Sequence, residues 1–297
     1  MTTIDAGEPV VFRPSGVRHH VRAFTRTYPA GAIGALLLLT FIGLAAAASF
    51  VNSAAYSTEL VERLQPPSWT GGSADHLLGT DSLGRDVAAR ILIAIRISLL
   101  VAAASVLVAG TVGVALGLLS GFAGGRIDAI IMRATDTMFA VPIVLLAITV
   151  MTVLRPGIQS LVFVIALTQW PTYARVVRGE TLAVKEELFV TAAHAIGVGQ
   201  LRTLRKHILP QVLPSVIALA TLNVSFIILL EAGLSFLGLG VQLPDPSLGS
   251  LLNEGRQYVS RATWLAIYPG LALLFLVLSI NLLGDGLRAY LDPETRR

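Results

Sequence analysis

Few residues in this chain are of types that do chemistry, and their spacing excludes most of it. There is no cysteine, which removes disulfides, thiolate metal sites and a cysteine nucleophile. The five histidines are scattered, and His19-His20 sits in a polar tail with no ligand-spaced carboxylates beside it. A phosphate-binding loop needs Gly-Lys-Ser/Thr, so that backbone amides and the lysine hold the phosphates. The only lysines, Lys185 and Lys206, do not follow glycine, so the chain carries no nucleotide site of that kind. Two sets of ionisable residues remain. His76, Asp81 and Asp86 lie close together in HLLGTDSLGRD and read either as a metal site or as helix caps and surface salt bridges. Glu231 is the one acid well inside an apolar run, where burying a charge costs about 3 kcal/mol unless it is paired, protonated or wet. With Asn223 before it and Ser235 one turn beyond, Glu231 is a candidate for the translocation path or gate. Buried polar pairing and a wet outer interface are the other readings of that carboxylate.

The elements that must position these residues are membrane spans. The 297 residues are 54% hydrophobic and only 13% charged, with a mean hydropathy of +0.74, far outside the soluble range. The net charge of +4 and pI near 9.8 do not point to nucleic acid, because the basic residues fall in short segments between apolar runs. The pattern reads as an all-α integral membrane protein with six transmembrane helices.

Residues 1–27 form a cytoplasmic tail with Arg13, Arg18, Arg22 and Arg26, and 28–51 a first span, longer than a cleaved signal peptide normally has. Residues 52–96 form an external loop. It carries an interfacial helix, capped by Asp81 or Ser82, that lays Val87, Ile91 and Ile95 on the membrane and keeps Arg85 and Arg90 among headgroups. Residues 97–288 hold five further spans, near 97–119, 137–154, 158–173, 211–236 and 265–283, and include a cytoplasmic loop over 176–210. Residues 289–297 are a cytoplasmic tail. Gly110, Gly113 and Gly117 give the second span a narrow face for close packing, and Pro142 kinks the third near one end. With both termini inside, about fifteen of the 22 basic residues lie inside and about seven outside, as membrane topology requires.

The chain is organised around the basic island Phe189 to Pro210. Small, helix-favouring residues Ala192, Ala193, His194 and Ala195 precede a break at Gly197-Val198-Gly199, and Leu201 to Leu209 form a second helix running into Pro210. This stretch resembles the cytoplasmic EAA loop of the membrane subunits of bacterial ABC importers. Ala192, Ala193, Gly197, Leu209 and Pro210 match that pattern, and Thr191 stands where it has Glu. The ending His207-Ile208-Leu209-Pro210 is similar to that of the peptide and nickel branch. So are Gly79-Thr80-Asp81 with Gly84-Arg85-Asp86, Met132-Arg133 with Asp136, and EAGLSFLGLG from Glu231 to Gly240.

The resemblance covers nearly the whole chain. It implies a type I importer permease fold in a bacterial inner membrane, in which the island docks on an ATPase. It also implies a second related permease subunit, two ATPase subunits that bind the ATP and magnesium, and an external substrate-binding lipoprotein. The cargo implied is dipeptides or oligopeptides, with nickel chelates and haem also open. No cofactor, metal or catalytic residue is expected in this chain, which is no enzyme on this reading, and nucleic acid is no partner. The alternative is an ion- or proton-coupled carrier acting without ATPase partners. It needs a relay of intramembrane ionisable groups, of which Glu231 alone qualifies.

Overall fold

The computed structural model describes residues 24–291. Arg13, Arg18, His19, His20 and Arg22 of the N-terminal tail, and residues 292–297 of the C-terminal one, lie outside the described residues. Among those described, every extended element is a helix, apart from one isolated bridge between Thr80 and Asp86. In chain order the main helices are α1 (Pro29–Ala47), α2 (Val87–Ala123), α3 (Gly125–Ala140), α4 (Ile143–Leu154), α5 (Ile158–Lys185), α6 (Leu188–Ala195), α7 (Leu209–Phe236), α8 (Leu248–Arg256) and α9 (Trp264–Leu291).

The longest helix corrects the expected outer loop. α2 has 37 residues and reaches about 55 Å, well beyond the roughly 30 Å of a bilayer core. No helix breaker stands between Val87 and Ile97, so the expected interfacial helix and second span are one rod. Its cap is Asp86, which accepts from the Ala89 amide at 2.7 Å, and not Asp81 or Ser82. Val87, Ile91 and Ile95 do not lie on a membrane surface; they are buried in the main apolar core with Leu248, Leu251 and Leu265.

Glycines set how closely the long helices approach. A Cβ on Gly113 would stand 2.6 Å from the Trp170 carbonyl oxygen, and one on Gly117 2.7 Å from that of Ala174. Gly121, one turn further on, meets Thr181 in the same way, so a four-residue glycine repeat seats α2 against α5. α1 packs on α9 by the same device, since a Cβ on Gly34 would lie 2.5 Å from the Leu283 nitrogen. Where α1 begins and α9 ends, the Tyr28 hydroxyl donates to the Ala289 carbonyl at 3.0 Å.

The expected third span is broken. α3 and α4 meet at 92° across Val141-Pro142. The proline ring disfavours α geometry at the residue before it, and Val141 is extended at φ −94° and ψ 125°. α4 alone has 12 residues, about 18 Å, which is too short to cross. Among the described residues four helices are long and apolar enough to span a membrane, or five with the bent pair as one, against the six expected. α5, the expected fourth span, falls short because Gln159, Ser160, Thr168, Gln169 and Thr172 dilute it. It also runs past Tyr173 to Lys185.

Candidate coupling and translocation sites

The basic island folds as a short helix rooted in the bundle. The Val190 and Thr191 amides bond the Glu187 carbonyl at 3.0 and 3.2 Å, starting α6. At its other end the Val198 amide reaches back to the Ala193 carbonyl at 3.0 Å, with Gly197 between them at φ +79°. This is a Schellman stop, which needs the left-handed conformation glycine adopts without penalty. Nothing lies within 4 Å of a Cβ built on Gly197, so backbone geometry alone, and not crowding, favours glycine there.

α6 has two faces. Val190 and Ala193 are buried, and Val190 packs with Leu118 of α2, Val177 of α5, Ile208 and Val212. Leu188 and Ile196 are 86% and 81% exposed, and Phe189, Thr191, Ala192, Ala195 and Leu201 face outward with them. His194 lies on the same helix; its side chain falls outside what is described. After a turn at Gln200–Thr203 comes a π-helical stretch, Leu204–Ile208, in which the Leu209 amide bonds the Leu204 carbonyl five residues back. Pro210 has no N–H and its ring crowds the carbonyl four residues earlier, so this wider turn lets the helix continue through it. The expected second helix and span five are therefore continuous, whereas α6 is set off by the glycine break and touches this rod through Val190 against Ile208 and Val212.

At the opposite end of the bundle, Asp81 is the hub of a buried ion network. Its Oδ2 accepts from Arg85 Nε at 2.7 Å and Arg90 Nη1 at 2.6 Å, and its Oδ1 from the Leu83 and Arg85 amides. Arg90, 1% exposed, also donates to both carboxylate oxygens of Glu254 on α8, at 2.7 and 3.1 Å. Arg85 and Arg90 are thus buried within the protein, a state tolerated because their donors are paired. Asp86 combines its capping bond with one to His76 Nδ1 at 2.8 Å, and His76 Nε2 meets Glu62 at 2.9 Å. Burial disfavours the charged imidazole, yet the hydrogen bonds and charges of Asp86 and Glu62 raise the His76 pKa above its ordinary 6.5. Thr80 is fully buried and donates to the Glu62 carbonyl. Gly79 and Gly84 adopt φ of +80° and +77° with carbonyls of Gln65 and Glu59 against them. Of the two readings of His76, Asp81 and Asp86, caps and salt bridges describe these contacts.

The third set divides. Glu231 is fully buried, accepting from Ser98 on α2 and Ser235 one turn along α7, each at 2.7 Å. The Ser235 hydroxyl in turn accepts from the Val241 amide at 3.3 Å. Glu231 and Ser235 thus join α2, α7 and the loop towards α8, the buried-pairing reading of this carboxylate. Asn223 is eight residues away, about 12 Å along the helix, and its side-chain nitrogen is buried with no hydrogen-bond partner.

Residues 113–297 match the family model described as "Binding-protein-dependent transport system inner membrane component". The chain belongs to that family. It is 40% identical over 302 residues to the "Di/tripeptide transport system permease protein DppC" of Pseudomonas aeruginosa, covering 100% of this chain and 98% of that one. It is 41% identical over 282 residues to the "Glutathione transport system permease protein GsiD" of Pectobacterium atrosepticum, covering 94% of this chain and 91% of that one. In fold it is similar to an inward-facing structure of the MetNI methionine ABC transporter, with a TM-score of 0.56 and 19% identity over 68% of this chain and 96% of that chain. This chain is therefore a multi-pass inner-membrane permease of the ABC importer class, and the carrier alternative is set aside in its favour. The resemblance read from the EAA-like loop and the EAGLSFLGLG string agrees with these relatives.

In this permease the stretch Gly79 to Asp86 feeds two neighbouring clusters, Asp81 with Arg85, Arg90 and Glu254, and Asp86 with His76 and Glu62. Its partners Glu62 and Glu254 were not among the candidates. Glu254 pairs with Arg90 across 164 positions, and nothing local in the sequence joins them. Gln169 was missed as well, although a buried amide inside an apolar span was a visible signal.

Proposed function

We propose that this permease forms half of the translocation path of an ATP-driven importer of short peptides, and that α6 is the lever through which separate ATPase subunits move it. The observation that carries the reading is the two-faced construction of α6. Its outer face offers exposed apolar residues around a glycine stop, and its inner face is locked to α2, α5 and α7 through Val190. A surface of that kind transmits displacement, because packed side chains shift as a unit. The cargo follows from the dipeptide, tripeptide and glutathione systems of the relatives. A second permease, two ATPases that bind and hydrolyse ATP, and an external binding protein complete the assembly, with both termini of this chain in the cytoplasm. Asn223 faces the solute path, whereas Glu231 and Ser235 brace the outer gate region.

The test is Gly197→Asp in the assembled complex. The substitution forces a side chain into a left-handed position and plants a charge on the docking face. Membrane insertion is expected to be normal, while dialanine-stimulated ATP hydrolysis is lost; retained coupling would remove α6 from the mechanism.

A further inference from the structure

The break between α3 and α4 opens a cavity of about 440 Å³, within the roughly 300–1,000 Å³ range of small-ligand sites. Its walls come from the two ends at Val141-Pro142, from α5 and from α7. None of its lining residues is charged; the polar ones are Thr168, Gln169, Thr172 and Asn223, set against apolar groups such as Phe226.

Three observations make this more than a packing defect. First, a helix that stops leaves its last carbonyls without intrahelical donors. Broken backbone within a membrane protein is tolerated only where it is covered by protein or lines a wet cavity. Pro171 inside α5 likewise removes the N–H that the Leu167 carbonyl would accept. Second, the side-chain nitrogen of Asn223 is buried beside the Tyr173 hydroxyl without a well-formed hydrogen bond to it, so the amide keeps donor capacity for a visiting group. Third, Asn223 lies at the midpoint of α7, fourteen residues after Leu209 and thirteen before Phe236. This donor therefore sits midway along α7, beside the cavity.

We infer that this cavity holds the amide backbone of the passing solute, with Asn223 donating to a peptide carbonyl and Gln169 pairing a second amide, and that it does so without reading side-chain charge. This rests on the importer reading above. A peptide carries paired donors and acceptors along its backbone whatever its side chains. An uncharged wall with carboxamides matches that repeat and offers an ion nothing to pair with.

The chain has no cysteine, so Asn223→Cys and Gln169→Cys each give it a single thiol. Both are labelled in the complete complex with water-soluble cationic and anionic methanethiosulfonates, each rate divided by that for a free thiol. Leu107→Cys, on the exposed side of α2, serves as the lipid-facing control. Both cavity thiols are expected to react with the two reagents at similar corrected rates, and dialanine with the binding protein is expected to slow them about tenfold. Asn223→Leu is expected to lower dialanine uptake about tenfold, the scale of one lost hydrogen bond.

No labelling in complexes that still hydrolyse ATP would mean a second subunit or lipid seals the cavity, and would overturn the inference. Labelling that dialanine leaves unchanged, or that strongly favours one reagent charge, would overturn it too. In each of those results the importer reading stands, whereas failure to assemble with any ATPase would remove the importer reading itself.

Discussion

Arg90 shows how one buried side chain fixes a large outer region. It ties Asp81 in the external loop to Glu254 on α8 from the first turn of α2. Removing Arg90 strips Asp81 of one of its two arginines and leaves Glu254 only the 3.4 Å contact of Arg85, at a cost of about 3 kcal/mol, the low end for a broken buried pair. Arg90→Ala is therefore expected to destabilise the purified complex by about that much in thermal or denaturant unfolding. A change within about 0.5 kcal/mol, the usual surface effect, would contradict the pairing.

His76 carries a second, pH-dependent contribution. Folding raises its pKa above 6.5, so the protonated ring stabilises the fold. That support is complete below about pH 6.5 and is lost as pH rises through the higher folded value. Protection of the outer loop from protease is expected to weaken over that rise, and His76→Gln is expected to flatten the dependence.

At the scale of elements, the chain was legible where a residue type has one structural use. Gly113 and Gly117 announced a close-packed face, and Gly197 a helix stop, because few other residues fit either role. Arg85 and Arg90 misled for the converse reason. An arginine near a membrane span normally keeps its head in the headgroup region, whereas here Asp81 and the distant Glu254 together pair Arg90 inside the protein. Pro142 gave the position of a disturbance but not its size, since a proline is compatible with a mild kink or with the 92° turn found here. The π-helical stretch before Pro210 was hidden as well, although it makes the helix that starts at Gln200 continuous with α7. The Gly197→Asp experiment belongs at this scale, because what it interrupts is the seating of a helix and not a chemical group.

Across the whole molecule, two fixed regions enclose a softer one. The outer end is held by the network around Asp81 and by Glu231 with its serines. The inner end is held by Val190 and its neighbours, and by Arg178, which donates to Asp128 at 2.5 and 2.7 Å between α5 and α3. Between them lies the α3/α4 break with its uncharged cavity. On the proposed lever reading, movement delivered at α6 passes through Val190 to the start of α7 and reaches the cavity wall at Asn223 before the network around Asp81. The central claim is that this chain works only as the membrane part of a larger ATP-driven machine. The most direct measurement is to tag it, solubilise native membranes gently, identify the copurifying proteins by mass spectrometry, and assay ATP hydrolysis with and without dialanine. The expected result is a second permease, P-loop ATPases and a binding protein, with hydrolysis that dialanine stimulates. Recovery of this chain alone or as a homo-oligomer, under conditions that preserve other membrane complexes, would contradict the account.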